Sequence, residues 1–325
     1  MNDERQKLIA VAGPTASGKT SLGICLAKHY NGEIVSCDSM QIYKGLDIGT
    51  AKPTPREMAE VPHHMVGIVD VSEKFSVSDY VFAAENVIND ITARQKLPIF
   101  VGGTGLYLRS LIQGISFEEN PVDEELRKEL ALLAKTEGAA YLHKKLFETD
   151  SEAAKLIHEN NVKRVVRALE YCHTTGKKFS AQMQSAKGQE KRYNAKVFCL
   201  SFRDRKKLYQ RIEKRIDLMM EAGLLQEAKQ LWREAEHMTD KPTALQAIGY
   251  KELFPYFQNQ ITLNTAISNL KQATRRYAKR QLTWFRKEDC VFVYADDYKN
   301  ETELANAVFQ MITAEENQYD ECENP

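Results

Sequence analysis

A phosphate-binding loop near the start of the chain is the feature that most constrains its fold. Residues 13–20 read GPTASGKT, which matches the pattern G-x-x-x-x-G-K-T. An apolar run, KLIAVA at 7–12, comes before the loop, and a segment of helical composition, TSLGICLAKHY at 20–30, comes after it. The motif requires this context, because its backbone N–H groups surround phosphate oxygens between a buried strand and a helix. We therefore predict a strand, a phosphate loop and a helix here.

Alternation of apolar runs with helical segments predicts an α/β core. Five further short runs are typical of buried strands: EIVSCDS at 33–39, HHMVGIVD at 63–70, LPIFVGG at 97–103, AKVFCLSF at 195–202 and CVFVYAD at 290–296. Helical segments between them favour a parallel sheet that is covered on both faces. The predicted fold class is a P-loop NTPase-like core with a parallel sheet, plus an inserted all-helical domain.

The helical insertion defines the predicted domain organisation. Only helical segments are found between 121 and 189, so we predict a catalytic core of 1–120 and 190–313 that this insertion interrupts. The last segment, 314–325, has five acidic residues and no basic residue, which predicts a disordered tail.

Composition excludes several classes of protein. Lys and Arg number 45 and Asp and Glu number 45, so the net charge is zero and a surface that is basic all over is excluded. The six cysteines show no C-x-x-C or zinc-finger spacing. No apolar run approaches the length of a membrane-spanning helix. We expect a cytoplasmic monomer that does not enter a membrane.

The phosphate loop and one acid carry the predicted chemistry. Lys19 would neutralise phosphate charge, and Thr20 would offer its hydroxyl to Mg²⁺. A kinase usually adds an acid at the end of another strand, but LPIFVGGTG at 97–105 ends in Gly and Thr. The well-placed acid is Asp38, in the polar stretch DSMQIYKGLDIGTAKP at 38–53. From its position alone, Asp38 could be a helix cap, a metal ligand or a catalytic group.

Basic residues suggest where anions bind. Arg211 and Arg215 are four residues apart, on one face of a predicted helix, and could bind phosphate oxygens. A helix with Lys163, Arg164 and Arg167 is one candidate RNA-binding surface, and 271–287, with seven basic residues and no acid, is another. A run of charges is also typical of a solvated face. The lack of any acid over four helical turns favours RNA.

Seven segments, in chain order, are similar to those of the tRNA dimethylallyltransferases, also called tRNA isopentenyltransferases. The segments are GPTASGKT, DSMQIYKGLDIGTAKP, VGGTGLYLRSLIQG, KRVVRALE, RIEKRIDLMMEAGLLQE, QAIGYKE and AKRQLTWFR. The resemblance extends from about Leu8 to Phe292. Many proteins share the phosphate loop, whereas its combination with DSMQIYKGLDIGTAKP and QAIGYKE is specific to this family.

The resemblance implies a function and a set of site residues. The family transfers a dimethylallyl group from dimethylallyl diphosphate to the N6 amine of the adenosine 3′ to the anticodon, in tRNAs that read codons beginning with U. It implies that Lys19 and Thr20 bind diphosphate rather than ATP, that Asp38 is the general base and that Thr104 lies near the flipped adenine. The diphosphate-binding residues would be Gly13, Pro14, Thr15, Ala16, Ser17, Gly18, Lys19, Thr20, Arg211 and Arg215. The residues that contact the tRNA anticodon stem-loop would be Asp38, Ser39, Met40, Gln41, Thr104, Arg127, Lys163, Arg164, Arg167, Gln246, Ala247, Ile248, Gly249, Tyr250 and Lys251.

Two other functions are compatible with a phosphate loop. A nucleotide or small-molecule kinase would turn over ATP and carry a mobile lid with several arginines. A non-catalytic RNA-binding protein with a nucleotide switch would change its RNA affinity with ATP or GTP and would not need Asp38. Neither function accounts for DSMQIYKGLDIGTAKP or QAIGYKE.

Overall fold

Six parallel strands form the sheet at the centre of the fold. The computed structural model describes residues 5–115, 122–185, 191–236, 238 and 242–321. The strands are β1 Lys7–Ala12, β2 Gly32–Ser36, β3 His63–His64, β4 Leu97–Val101, β5 Asn194–Ser201 and β6 Val291–Tyr294. They lie in the order β3-β2-β4-β1-β5-β6, and every neighbouring pair is parallel. The predicted parallel α/β core is confirmed, although β3 is shorter than the run at 63–70 suggested.

Helices follow most of the strands, as parallel connections require. They are α1 Lys19–His29, α2 Pro55–Glu60, α3 Val77–Ala93, α4 Gly105–Ile112, α5 Glu124–Thr136, α6 Ala139–Thr149, α7 Ser151–Leu156, α8 Val162–Thr175, α9 Phe179–Ser185, α10 Arg205–Glu221, α11 Leu224–Glu236, α12 Phe254–Phe257, α13 Leu263–Phe285 and α14 Glu301–Glu321. Short 3₁₀ turns lie at Thr243–Gln246 and Ala295–Asp297. Within the described residues, no helix is both long enough and apolar enough to span a membrane.

The main core lies on the face of the sheet that α1 and α14 cover. Leu22 and Leu26 of α1 pack with Val308 of α14 and with Ile9 and Val11 of β1 in one buried cluster. This packing explains why α14 folds against the sheet although it lies far from β1 in the sequence. It also holds α1, and therefore the phosphate loop before it, in a fixed position.

Side chains of α3 and α4 hold the end of β2 in place. Tyr80 of α3 is fully buried and stacks on Tyr107 of α4, with 4.0 Å between the ring centroids. The hydroxyl of Tyr80 donates a hydrogen bond of 3.1 Å to the carbonyl of Ser36, the last residue of β2. The backbone is therefore anchored two residues before Asp38.

The chain divides into two compact units. One comprises residues 1–112 and 192–325 and contains the sheet, and the other comprises residues 113–191. The second unit is helical and has its own core, in which Leu142 and Leu146 of α6 pack with Val165 and Ala168 of α8. The predicted insertion, 121–189, lies within this unit, with residues 121 and 186–189 outside the described residues.

The C-terminal segment differs from the predicted disorder. Helix α14 continues to Glu321, and residues 322–325 lie outside the described residues. The segment from 301 to 321 has no Gly or Pro, and it contains several Ala, Glu and Gln residues with high helix propensity. The acidic composition that predicted disorder is therefore also compatible with the last turns of a helix.

Glu33 of β2 is a buried carboxylate that is stabilised by basic side chains near the edge of the sheet. Glu33 is 1% exposed. It contacts Arg94, lies 2.9 Å from the ammonium nitrogen of Lys96 and lies 2.7 Å from Nε2 of His64. Hydrogen bonds from Arg94, followed by those from Lys96 and His64, lower the pKa of Glu33 to about 2, against the effect of burial.

We expect Glu33→Gln to lower the free energy of unfolding by about 3 kcal/mol at neutral pH, since it removes a buried carboxylate that three partly exposed basic side chains stabilise. Because the folded-state pKa lies below the unfolded value, this stabilisation is present above about pH 5 and is lost as pH falls towards 2. Urea unfolding at several pH values measures both effects. Asp70→Asn, which removes the exposed pair with Lys44, is the control and should cost less than about 1 kcal/mol. A deficit for Glu33→Gln that is the same at pH 3 and pH 7 would contradict this explanation.

Candidate active site

The phosphate loop connects β1 to α1 in the conformation that an anion-binding site needs. Gly18, the residue just before α1, has φ 99°, and a residue with a Cβ would be strained in that conformation. The N-terminal end of a helix carries a partial positive charge and backbone N–H groups that can bind an anion. The hydroxyl of Ser17 is buried and has no hydrogen-bond partner among the described residues. The loop is therefore built to receive a ligand.

Lys19 is held over this loop as a cation. Its ammonium group donates a 2.7 Å hydrogen bond to the carbonyl of Pro14. Burial lowers the pKa of Lys19 to about 8, an effect that Arg215 increases and Asp38 opposes. A bound anion would raise this pKa again and favour the charged ammonium group.

Asp38 lies two residues beyond the end of β2. Its Oδ1 accepts hydrogen bonds from the backbone N–H groups of Met40, at 2.9 Å, and Gln41, at 3.4 Å. Among the described residues, Oδ2 has no hydrogen-bond partner. The side chain is therefore fixed through one oxygen, and the other oxygen can accept a proton from a ligand.

The turn after β4 holds Asp38 in this position. The backbone N–H of Thr104 donates to the carbonyl of Cys37 at 3.1 Å, and its hydroxyl oxygen accepts from the N–H of Ser39 at 3.0 Å. A Cβ on Gly102 would lie 2.0 Å from the Cys37 carbonyl oxygen, so only glycine allows the two strand ends to come this close. Tyr277 of α13 also lines the pocket beside this turn.

Gln281 connects the phosphate loop to the turn after β4, and sequence reasoning did not identify it. It is 5% exposed, and its side-chain oxygen accepts from the N–H of Thr15 at 3.0 Å. Its side-chain nitrogen donates to the carbonyl of Gly103, also at 3.0 Å. A signal was available, since Gln281 is a polar residue beside Ala278 and Leu282 on the buried face of α13.

Two arginines of α10 lie at the phosphate loop. The Nε of Arg211 donates a 3.0 Å hydrogen bond to the carbonyl of Ala16. Arg215 lines the pocket, and burial, followed by the charge of Arg211, lowers its pKa. The spacing of four residues predicted that Arg211 and Arg215 lie on one face of a helix, and in the structure both lie at the phosphate loop.

The predicted contact segment QAIGYK contributes both exposed and buried residues. Tyr250 is fully buried, and its hydroxyl donates to Glu227 at 2.6 Å. Glu227 also accepts from the N–H groups of Ile48 and Gly49, each at 2.9 Å, so it anchors the loop after β2. Ala247 is buried as well. Tyr250 and Ala247 therefore support the site from the interior, and sequence reasoning missed the anchoring role of Glu227.

These elements enclose a pocket of about 300 Å³. One part of its lining is formed by Lys19, Thr20 and Arg215, and another by Asp38. A third, apolar part is lined by side chains of three helices: Ile212, Ile216, Leu224 and Leu270. Polar residues also line it, and four of them come from the predicted contact segments: Ser39, Gln41, Gln246 and Lys251. The pocket thus combines an anion site, an acid and an apolar surface.

The predicted basic residues of the helical unit fall into two groups. Arg127 and Arg167 both bind Glu170, each at 2.8 Å, and Glu170 is fully buried. Lys163 and Arg164 are exposed, and neither makes an ion pair within the described part of the chain. The spacing of three residues between Arg167 and Glu170 was a signal for this pair in the sequence. The pairing of Arg127 with Glu170 depends on the packing of α5 against α8 and had no such signal.

Comparison with known proteins gives a consistent result at the level of sequence. A family model described as IPP transferase matches residues 41–288, more than half of the chain. The tRNA dimethylallyltransferase of Bacillus subtilis is 50% identical over 288 residues, which cover 89% of this chain and 90% of that protein. The tRNA dimethylallyltransferase of a Thermoanaerobacter species is 43% identical over 96% of this chain and 99% of its own length.

Solved structures agree with the sequence matches. The full-length tRNA isopentenylpyrophosphate transferase of Bacillus halodurans superposes with a TM-score of 0.73 and 41% identity, covering 99% of this chain and all of that one. A eukaryotic dimethylallyltransferase described as acting on tRNA superposes with a TM-score of 0.76 and 32% identity, covering 95% of this chain and 80% of that one. Because sequence and fold match these proteins along nearly the whole length, the chain belongs to the family of tRNA dimethylallyltransferases.

Proposed function

We propose that this protein transfers a dimethylallyl group from dimethylallyl diphosphate to the N6 amine of the adenosine 3′ to the anticodon, in tRNAs that read codons beginning with U. The observation that carries the proposal is that Asp38 and Lys19 line the same pocket. An acid with a free oxygen and a cation on a phosphate loop are the two groups that such a transfer needs. The family matches give no support to a kinase.

Diphosphate would bind at the phosphate loop. The N-terminal end of α1 and the ammonium of Lys19 would stabilise the negative charge that grows on the leaving diphosphate as its bond to carbon breaks. Arg211 and Arg215 offer planar guanidinium groups that suit phosphate oxygens. The apolar part of the pocket, with Ile212 and Ile216, suits the five-carbon dimethylallyl group.

A divalent cation fits this site. The hydroxyl-bearing Thr20 lines the pocket next to Lys19, so the loop offers one protein ligand beside the place where phosphates would bind. Such a donor set suits Mg²⁺, which keeps several waters and is bound largely through substrate phosphates. Bound at Thr20, Mg²⁺ would neutralise charge on the diphosphate.

Asp38 would act as the general base. The adenine amine is a poor nucleophile until its proton leaves, so Oδ2 of Asp38 would take that proton as the nitrogen–carbon bond forms. The electron pair of the breaking carbon–oxygen bond would leave with diphosphate. The base must leave its stack to reach the pocket. Thr104 would act by holding the Asp38 segment through its hydrogen bonds with Ser39 and Cys37.

The tRNA anticodon stem-loop would be bound through exposed polar and basic groups. Gln41, Gln246 and Lys251 line the pocket, and Lys163 and Arg164 are exposed on α8. Arg127 and Arg167 would act mainly by holding Glu170. A function on tRNA agrees with a cytoplasmic location, and we propose that the protein acts as a monomer, which gel filtration can check.

Asp38→Asn should lower the rate of the chemical step about 10²–10⁴-fold, because the amide preserves shape but cannot accept the proton. Single-turnover transfer to an unmodified anticodon stem-loop measures the rate, and filter binding measures RNA affinity, which should change far less. The exposed variant Asp70→Asn should behave like the wild type in both assays. Near-normal turnover by Asp38→Asn would rule out its role as the base.

Lys19→Ala should lower transfer at least about 10²–10³-fold, the usual loss when one donor that stabilises developing negative charge is removed. The wild type should add an isopentenyl mass to the stem-loop when given dimethylallyl diphosphate and Mg²⁺. It should release no ADP when given ATP and Mg²⁺ instead. ADP production that depends on Lys19, with no alkylated adenosine, would support a kinase and contradict the proposal.

The two groups of basic residues in the helical unit should respond differently to substitution. Lys163→Ala combined with Arg164→Ala should weaken tRNA binding and reduce its salt dependence, with little effect on unfolding. Arg167→Ala should instead lower the stability of the protein, because Glu170 is buried and loses a partner. Filter binding at several salt concentrations and thermal unfolding separate the outcomes. Unchanged RNA affinity in the double variant would assign Lys163 and Arg164 to an ordinary solvated face.

A further inference from the structure

The carboxylate of Glu227 on α11 binds two segments that come from distant parts of the chain. One is the loop at 47–51, after β2, and the other is the segment at 246–251. The donors from the loop are the backbone N–H groups of Asp47 at 3.0 Å, Ile48 at 2.9 Å and Gly49 at 2.9 Å. The donor from the segment is the hydroxyl of Tyr250, at 2.6 Å. Four donors thus converge on one side chain.

These four donors require a carboxylate rather than a neutral side chain. Successive backbone N–H groups that point to one place favour a negative charge. An ionised carboxylate has acceptors alone, and its two oxygens can accept four hydrogen bonds. The amide of a glutamine would offer one acceptor oxygen and would turn an NH₂ group towards some of the donors. Glu227 therefore matches this arrangement, and Gln at the same position would leave donors unpaired.

The loop and the segment also touch each other beside Glu227. A Cβ on Gly49 would lie 2.5 Å from the ring of Tyr250, which is fully buried. A Cβ on Gly249, where φ is 110°, would lie 3.3 Å from the carbonyl oxygen of Gly49. The two backbones are therefore closer together than residues with larger side chains would allow, and the position of one determines the position of the other.

The carbonyl groups of the loop are held from the side of β2. The side-chain nitrogen of Gln41 donates to the carbonyl of Thr50 at 3.2 Å and to that of Ala51 at 3.1 Å. Its side-chain oxygen accepts a 3.0 Å hydrogen bond from the hydroxyl of Ser36, at the end of β2. The loop is thus attached to β2 through its carbonyl groups and to α11 through its N–H groups.

Both segments line the pocket, whereas the two side chains that join them do not. The lining includes residues 49–51 of the loop and residues 246–249 and 251 of the segment. Glu227 and Tyr250 are absent from the lining that the described residues form. A substrate in the pocket would therefore meet the two segments, but not the groups that set their spacing.

We propose that Glu227 and Tyr250 are positioning residues for recognition of the RNA substrate. They set the spacing between the loop at 47–51 and the segment at 246–251, so that both can bind the anticodon stem-loop at the same time. Neither side chain touches the RNA. The proposal rests on the proposed function, since it takes tRNA as the substrate.

The direction of the effect on tRNA affinity separates positioning from simple charge. Glu227 is an acid close to a surface that would bind a polyanion, so its charge alone would oppose binding. If charge were its only influence, Glu227→Gln would bind tRNA more tightly than the wild type. If Glu227 acts by holding the two segments, the same change weakens binding.

The test measures the dissociation constant for an unmodified tRNA, the KM for dimethylallyl diphosphate and the single-turnover rate of transfer at saturating tRNA. Glu227→Gln should weaken tRNA binding about tenfold, because donors lose their partner and the loop is released. Tyr250→Phe removes one hydrogen bond and keeps the ring, so it should weaken binding about threefold. The KM for dimethylallyl diphosphate and the single-turnover rate should change less than about twofold, as expected when binding rather than catalysis is lost.

Two further variants complete the test. Glu234→Gln removes the same charge at an exposed position of α11 and should bind tRNA no more weakly than the wild type. The double variant of Glu227→Gln with Tyr250→Phe should bind tRNA about as weakly as Glu227→Gln alone, because both changes remove the same hydrogen bond. Thermal unfolding shows whether each variant is folded at the assay temperature, and Tyr250→Phe decides the test if Glu227→Gln is not.

Three outcomes overturn the proposal while transfer by the wild type keeps the proposed function intact. The first is tRNA binding by Glu227→Gln and Tyr250→Phe that is as tight as that of the wild type or tighter. The second is an equal loss in tRNA affinity, in the KM for dimethylallyl diphosphate and in the single-turnover rate, which would reflect a general loss of structure. The third is a set of losses that add in the double variant. A wild type that transfers no dimethylallyl group to tRNA would instead refute the proposed function itself.

Discussion

The site depends on the parallel pairing of β1, β2 and β4, which ends the three strands at one edge of the sheet. Val11 of β1 pairs with Val101 of β4, and Val101 also pairs with Ser36 of β2. The phosphate loop, Asp38 and the turn with Thr104 therefore begin at neighbouring points, as is general for ligand sites in parallel sheets. The absence of a side chain at Gly102 then allows a close approach that no other residue would permit.

Charges in the pocket are arranged to favour an anionic ligand. Lys19 and Arg215 are both partly buried, and burial lowers the pKa of each. The charge of Arg215 further lowers the pKa of Lys19, and that of Arg211 further lowers the pKa of Arg215. Asp38 opposes these effects on both side chains. A bound anion would offset the repulsion between the cations, so these groups would make its binding favourable.

The basic residues of the surface fall into two groups: some form ion pairs that stabilise the fold, and others are exposed without a pair among the described residues. Arg127 and Arg167 neutralise a buried carboxylate, whereas Lys163 and Arg164 on the same helical unit remain exposed and without ion pairs among the described residues. Between α10 and α13, Lys271 is paired with Asp217 and Arg275 with Glu213. A sequence with zero net charge can thus present basic surface wherever acids are locally absent.

Much of the fold and the family was predictable from the sequence, because its signals are local. The phosphate loop requires a strand before it and a helix after it, the apolar runs marked the strands, and DSMQIYKGLDIGTAKP identified the family. Disorder from 314 was the exception, since acidic composition did not prevent α14 from continuing. The roles of Asp38, Lys19 and Thr104 remain predictions that the geometry supports.

Tertiary structure alone decided which residues bind and which support. Gln281 reaches the phosphate loop from 266 positions away in sequence, and no local pattern encodes that contact. Tyr250 looked like a contact residue within QAIGYK, but it is buried against Glu227, which holds the loop after β2. Whether a cation is neutralised depends on side chains that another helix brings near it. Sequence spacing determines helix faces, whereas packing between elements decides what each face meets.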